Sequence, residues 1–307
     1  MAAPVDGGLR VLPGLPYVFV IDLDGTIVGR VDYQSQRYTL NSVLRQSGYK
    51  AQKQEKTPAA YGTSSRLVRP GLVNFMREIY TLYGGKAFFF LYTASEKQWA
   101  HQQIKWIEKT HGIKFARPLF TRDDCIIQAG GNIRKSLTKI WPRIARTLSS
   151  GMTPKERMHV LDHQTILIDN NSVYLDHSDK LLLCPDYDYL YFENLLEAIP
   201  AQARKHPNVD RMILSFINQG LFCPHVQMHK LDEHGDHTGT DHMHRLAKQY
   251  NWLAQKCAGV TEANKPFVND KFWSLLRKLI VSNEIQRFTP SVILQLQNTI
   301  WKTMKKA

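Results

Sequence analysis

Between residues 17 and 200 the chain alternates short continuous apolar runs with amphipathic stretches. The runs are Tyr17 to Ile21, Lys86 to Tyr92, Gln164 to Ile168 and Leu181 to Cys184. Their length and spacing predict buried strands of a parallel sheet flanked by helices. Between the first two, Pro70 opens a helix whose apolar positions Leu72, Phe75, Met76 and Ile79 fall at i, i+3, i+4 and i+7, and Gly84-Gly85 stops it. The simplest reading is a strand-helix-strand unit. After the second run, Ser95 is placed to cap a helix with Gln98 in the capping-box position and Gly112 ending it. Thr153-Pro154 with Glu156 signals another helix start.

Residues 30–68 break the pattern. They are polar, carry Tyr33, Tyr38, Tyr49 and Tyr61, and read as an insertion or cap loop. From residue 201 the strand-like runs stop. Phe272-Trp273 with Leu276 and Ile280, then Thr289-Pro290 leading to Ile293, Leu296 and Ile300, predict helices with one apolar face each. The expected organisation is therefore a domain over residues 1–200, interrupted by the polar insertion, and a helical C-terminal extension over 201–307. The extension is expected to pack on or beside the first domain and to supply no catalytic residue. There is no internal repeat and no low-complexity segment.

Composition narrows the class. With 307 residues, 43% hydrophobic and 22% charged, the chain can bury a core, which excludes disorder over most of its length. The longest apolar run, Ala87 to Leu91, falls far short of the roughly 18 residues that a membrane helix needs. The N-terminus lacks the features of a secretory signal, so an intracellular, soluble protein is expected, nuclear or cytoplasmic, whether cellular or viral and acting in its host. Cys125, Cys184, Cys223 and Cys257 lie far apart and read as reduced thiols. A formal charge of +13 favours an anionic partner. No basic block resembles a nucleic-acid-binding arm, so the charge leaves the partner open.

The sharpest motif is Asp22-Leu23-Asp24-Gly25-Thr26, directly after the first apolar run. Asp-Gly-Thr is also an ordinary turn after a strand. Two carboxylates at a strand's carboxyl end, however, point into the crevice where open α/β sheets bind ligands, and beside a core they are costly unless they hold a metal or do chemistry. The motif resembles the first motif of the haloacid dehalogenase superfamily of aspartate-nucleophile phosphotransferases. Thr93, ending the second run, is similar to the second motif, and Asp169-Asn170, ending the third, to the fourth. Within the superfamily, Arg69-Pro70-Gly71, Thr93-Ala94-Ser95, Arg122-Asp123-Asp124-Cys125 and Lys135 look like the branch of FCP/SCP-type, or NLI-interacting-factor-like, phosphatases, which act on the C-terminal domain of RNA polymerase II. The resemblance covers about residues 17–199. Gly25 stands where the branch usually has Glu or Gln, and Ser136 where it has Asp after the lysine; both bear on substrate choice more than on chemistry.

The resemblance implies a doubly wound, mostly parallel sheet and a Mg²⁺-dependent phosphatase. Asp22 would be the nucleophile, and Asp24 the general acid and base with its backbone carbonyl on the metal. Thr93 would bind a phosphoryl oxygen and Lys135 would offset charge, with Lys139 close enough in sequence to compete for that role. Asp22, Asp24 and Asn170 form the implied Mg²⁺ set, completed by waters and phosphate, and Asp169 would orient Lys135. Thr26, Thr93, Ala94 and Arg122 are implied substrate contacts, Arg122 equally suited to bracing a loop. The expected substrate is phosphoserine or phosphothreonine in an extended, acidic peptide, with the RNA polymerase II tail as one example. Small phosphate esters or nucleic-acid 3′ ends are the alternative substrates, and a non-catalytic binding module is the alternative class. Cys223, His225, His229, His234, His237, His242 and His244 crowd one polar segment, and the Cys and His content allows zinc, but their spacing matches no zinc module.

Overall fold

The computed structural model describes residues 14–29, 67–148, 151–189 and 264–305. They belong almost wholly to one of two compact bodies, Met1–Val28 with Val68–Tyr187 and Asn269–Ala307. The tyrosines of the polar insertion and the cluster from Cys223 to His244 lie outside the described residues, as do Cys257 and the 200/201 boundary.

Four apolar runs form one parallel sheet. β1 (Tyr17–Ile21), β2 (Ala87–Leu91), β5 (Thr165–Asp169) and β6 (Leu181–Leu183) stand in the order β2-β1-β5-β6. Both faces are covered, which is why the strands read as continuous apolar runs and not as alternating ones. On one face Val18, Val20, Phe90, Tyr92 and Leu167 pack against α3 (Leu137–Leu148) and α4 (Pro154–His163). On the other, Phe19 meets Phe75 of α1 (Leu72–Leu82), and Phe75 meets Trp273 of α5 (Phe272–Ser282). The fold is the expected α/β architecture.

The remaining elements are α2 (Lys97–His111), a 3-10 turn at Arg122–Asp124, the antiparallel pair β3 (Ile126–Ile127) and β4 (Ile133–Arg134), and α6 (Pro290–Met304). Gly112 closes α2 in the left-handed conformation and Thr153 forms a full capping box on α4, as the sequence predicts. Two elements differ from expectation. Glu96, not Ser95, is the first cap residue of α2, and no side chain caps it. The reason is a stronger claim on the Ser95 hydroxyl, described below. The helix α3 was not anticipated, because Pro142 sits inside it and removes one ladder hydrogen bond. Its apolar stripe Leu137, Ile140, Trp141, Ile144 and Leu148 holds it on the sheet.

The last two helices are stitched to the sheet. Leu183 of edge strand β6 donates its amide to Gln297 at 2.8 Å and accepts from Trp301 Nε1 at 2.9 Å, both on α6. These side chains satisfy backbone groups that an open edge would otherwise present. The Tyr83 hydroxyl reaches the Ile285 carbonyl, and Phe288 packs edge-on against Phe19. Among the described residues no helix is long and apolar enough to cross a membrane.

Candidate active site

The strand register assembles the site. Ile21 pairs with Leu91 on one side and Ile168 on the other, so the residues that follow emerge together at the carboxyl edge of the sheet. Those residues are Asp22, Thr93 and Asp169.

Lys135 enters this group from the position just after β4. Its backbone is fixed by hydrogen bonds to Val173 and from Leu175, at 3.0 and 2.9 Å. The ammonium donates to Asp22 Oδ1 at 2.5 Å and to Asp169 Oδ2 at 2.7 Å, and all three side chains are buried. Asp169 accepts on its other oxygen from the Asn171 amide at 2.8 Å, which fixes the carboxylate that aims the lysine. Lys139 is turned elsewhere and donates to the Cys125 carbonyl at 2.7 Å. Burial pushes the Asp22 carboxyl up to about 7; Lys135 opposes this, while Asp169 and Asp24 add to it. Burial alone would pull the Lys135 ammonium down, but Asp22 and Asp169 outweigh it and hold it above its ordinary value.

Asp24 projects from the turn after β1 into a different set of donors. Ser95 Oγ donates to its Oδ2 at 2.5 Å, Trp99 Nε1 to its Oδ1 at 3.1 Å, and Thr93 Oγ1 to Oδ2 at a longer 3.4 Å. Ser95 is therefore a donor to Asp24 and not the helix cap its sequence position predicts, and Trp99 joins the site without any motif to mark it. Ser95 lies just outside α2 and Trp99 in its first turn, and they converge on Asp24 only through the tertiary fold, so no local spacing marks them. Ser95 itself is fixed by its amide, which donates to Thr93 Oγ1 at 3.1 Å.

The other expected site residues take quieter positions. Arg122 donates from Nε to the Ala94 carbonyl at 2.8 Å and from its amide to Ser95 at 3.0 Å, so it braces the Thr93-Ala94-Ser95 turn, with much of its guanidinium in solvent. Thr26 is fully buried: its hydroxyl donates to Asn170 Oδ1 at 3.2 Å and accepts from the Asn170 amide at 3.1 Å. It anchors the Asn170 loop from beneath. Asn170 donates from Nδ2 to Asp186 Oδ1 at 3.0 Å. Gly25 has φ of +77°, and a side chain there would run into Asn170 and Asp186. Ser136, in the place of an expected Asp, donates to Asp176 Oδ2 at 2.5 Å, while Asp176 Oδ1 accepts the Leu137 amide at 2.7 Å. The carboxylate that caps α3 thus comes from forty residues away in sequence.

A buried carboxylate paired with a lysine, and a second carboxylate two residues on, thus stand together at the carboxyl edge of the sheet. The model of NLI interacting factor-like phosphatases matches residues 17–201. The chain belongs to that family. The haloacid dehalogenase-type phosphatase read from the motifs is thereby borne out. No curated protein matches the chain. Two solved structures are similar to this family member. One is fission yeast RNA polymerase II CTD phosphatase Fcp1, an arginine-to-alanine variant bound to beryllium fluoride, with 16% identity, 81% of this chain and 67% of that one covered, and a TM-score of 0.32. The other is a structure of Fcp1, an essential RNA polymerase II CTD phosphatase, with 16% identity, 92% and 69% covered, and a TM-score of 0.33.

Proposed function

We propose that this phosphatase removes phosphate from phosphoserine or phosphothreonine in protein, through a covalent phosphate ester on Asp22 and with Mg²⁺ as cofactor. The observation that carries the reading is the Asp22–Lys135–Asp169 triad beside an Asp24 held by Ser95, Trp99 and Thr93.

Asp22 attacks phosphorus, and Asp24 gives its proton to the departing serine or threonine oxygen. The same carboxylate then takes a proton from the water that cleaves the aspartyl-phosphate. Ser95 and Trp99 keep Asp24 aimed in both steps. Lys135 balances charge as the phosphoryl group meets the buried carboxylates, with Asp169 holding the ammonium in place.

The residues present fit a divalent cation. Asp22 and Asp169 share one lysine, and Asp24 stands two residues on without a cation of its own among its hydrogen-bond donors. Among the described residues no group of three or more His, Cys, Asp or Glu forms a metal cage. The candidate donors are instead the Asp22 carboxylate, the Asp24 carbonyl and the Asn170 amide oxygen, a sparse oxygen set of the kind that suits Mg²⁺ with its retained waters. When bound, Mg²⁺ neutralises phosphoryl oxygens and orients the phosphate.

Residues 93–135, all described, hold only α2, the 3-10 turn and the two-residue strands β3 and β4, so no cap domain is inserted between Thr93 and Lys135. That favours a macromolecular substrate over a small enclosed ester. The +13 charge suits an acidic phosphopeptide. The test is turnover, with and without Mg²⁺, on a panel of phosphoserine and phosphothreonine peptides, including RNA polymerase II tail repeats, beside sugar phosphates and a 3′-phosphorylated oligonucleotide. Mg²⁺-dependent release from the peptides alone is expected. Preference for the sugar phosphates or the oligonucleotide would overturn the substrate class.

A further inference from the structure

The strap that follows β6, residues 184–187, touches the site loops along its length. The Cys184 amide donates to the Asp169 carbonyl at 2.9 Å, and the Tyr187 amide donates to the Gly25 carbonyl at 2.8 Å. Between them Asp186 receives the Asn170 side chain. Arg69 holds the strap from behind: its Nη1 donates to the Pro185 carbonyl at 2.8 Å, and its guanidinium lies 5.4 Å from the Tyr187 ring centre and 4.5 Å from that of Phe272. The other edge of the guanidinium is occupied by a carboxylate. Arg69 Nε and Nη2 donate to Asp270 Oδ1 and Oδ2 at 2.8 and 2.9 Å, in a fork whose two side chains are 0% and 5% exposed. Asp270 is in turn fixed by the Phe272 amide, 2.9 Å from Oδ1 at the start of α5.

A planar guanidinium saturated along one edge has the direction of its remaining donors set by that edge. Without Asp270, a buried cation would be left to seek other acceptors, and the Pro185 carbonyl would lose a partner of fixed direction. We infer that Asp270, 201 residues from Arg69 in the chain, is a positioning residue for the Asn170 oxygen, acting through Arg69 and the strap. The inference rests on the reading of Asn170 as a metal donor. It assigns the C-terminal segment a part in the site although that segment touches no reacting atom. The effect therefore falls on metal affinity and leaves the chemistry of the loaded site unchanged.

The experiment uses the full chain and three variants: Asp270→Asn, the double replacement Arg69→Met/Asp270→Leu, and Asp186→Ala. The double replacement exchanges the buried pair for apolar groups, which proteins tolerate better than the loss of one partner. Asp186 is exposed, so its truncation leaves the core intact. Mn²⁺ is the probe, its free concentration read by electron paramagnetic resonance, alongside the Mg²⁺ dependence of turnover on an activated aryl phosphate. Every folded variant is expected to bind Mn²⁺ about tenfold more weakly or worse, as partners behind a metal ligand typically do when removed. The Mg²⁺ needed for half-maximal rate should rise in step, with kcat at saturating Mg²⁺ within about twofold of wild type. Unchanged Mn²⁺ affinity in any folded variant overturns the inference, as does a loss of kcat that saturating Mg²⁺ does not restore. A wild-type chain that turns over the aryl phosphate but binds no Mn²⁺ would instead overturn the metal reading beneath it.

Discussion

Asp22 and Asp24 are chemically identical side chains set in different surroundings. Asp22 is sealed in with Lys135 and Asp169; Asp24 is partly open and meets neutral donors. Replacing Asp22 with Asn keeps the shape and leaves Lys135 paired with Asp169, so the fold should survive while turnover falls to background. Circular dichroism and a phosphopeptide assay check both halves. Asp24→Asn is expected to slow a phosphoserine peptide by about 10²–10⁴-fold and an activated aryl phosphate much less, because only the poor leaving group needs the proton. Ser95→Ala removes a short hydrogen bond to a carboxylate, and the same leaving-group contrast should appear at about 10- to 100-fold. Equal slowing of both substrates would remove Asp24 and Ser95 from proton transfer.

At the scale of elements, α3 begins two residues after Lys135, and its start depends on a carboxylate from another loop. Burial alone would push Asp176 up, but hydrogen bonds from Ser136, the Leu137 amide and Thr138 outweigh it and hold the carboxyl below its ordinary range. The stability this confers is present above the unfolded carboxylate pKa and is lost as pH falls through the lower folded value. Asp176→Ala should therefore cost about 1–2 kcal/mol near pH 7, as a lost helix cap does. Urea unfolding of both proteins at falling pH should show the gap closing in acid; a constant gap would contradict the capping role. The contact between Ser136 and Asp176, forty residues apart, is invisible until the two loops are brought together.

For the molecule as a whole, the two last helices complete a core as well as a surface. Phe272, Trp273, Leu276 and Phe288 are fully buried against the α1 side of the sheet. A chain ending at residue 200 would uncover that face and leave Arg69 buried without its carboxylate, a loss of about 3–5 kcal/mol for the ion pair alone. Such a chain is expected to aggregate on refolding, as measured by light scattering, where the full chain stays monodisperse. A soluble, fully active truncated chain would show that residues 269–305 matter to neither core nor site.

Much of this was legible in the amino-acid sequence because it is local. Parallel strands buried on both faces must be continuous apolar runs, so β1, β2, β5 and β6 announce themselves; the Asp22-to-Thr26 and Asp169-Asn170 motifs follow two of those runs directly, and amphipathic spacing marks α1, α5 and α6. Tertiary structure alone decided the competitions between partners. It gave Lys135 and not Lys139 to the carboxylates, turned Ser95 from a helix cap into a donor to Asp24, and sent Arg122 to the back of its turn. It also joined Arg69 to Asp270 across most of the chain. Periodicity reports which face of an element is buried, but a hydrogen bond between distant side chains depends on register and packing that no local window contains.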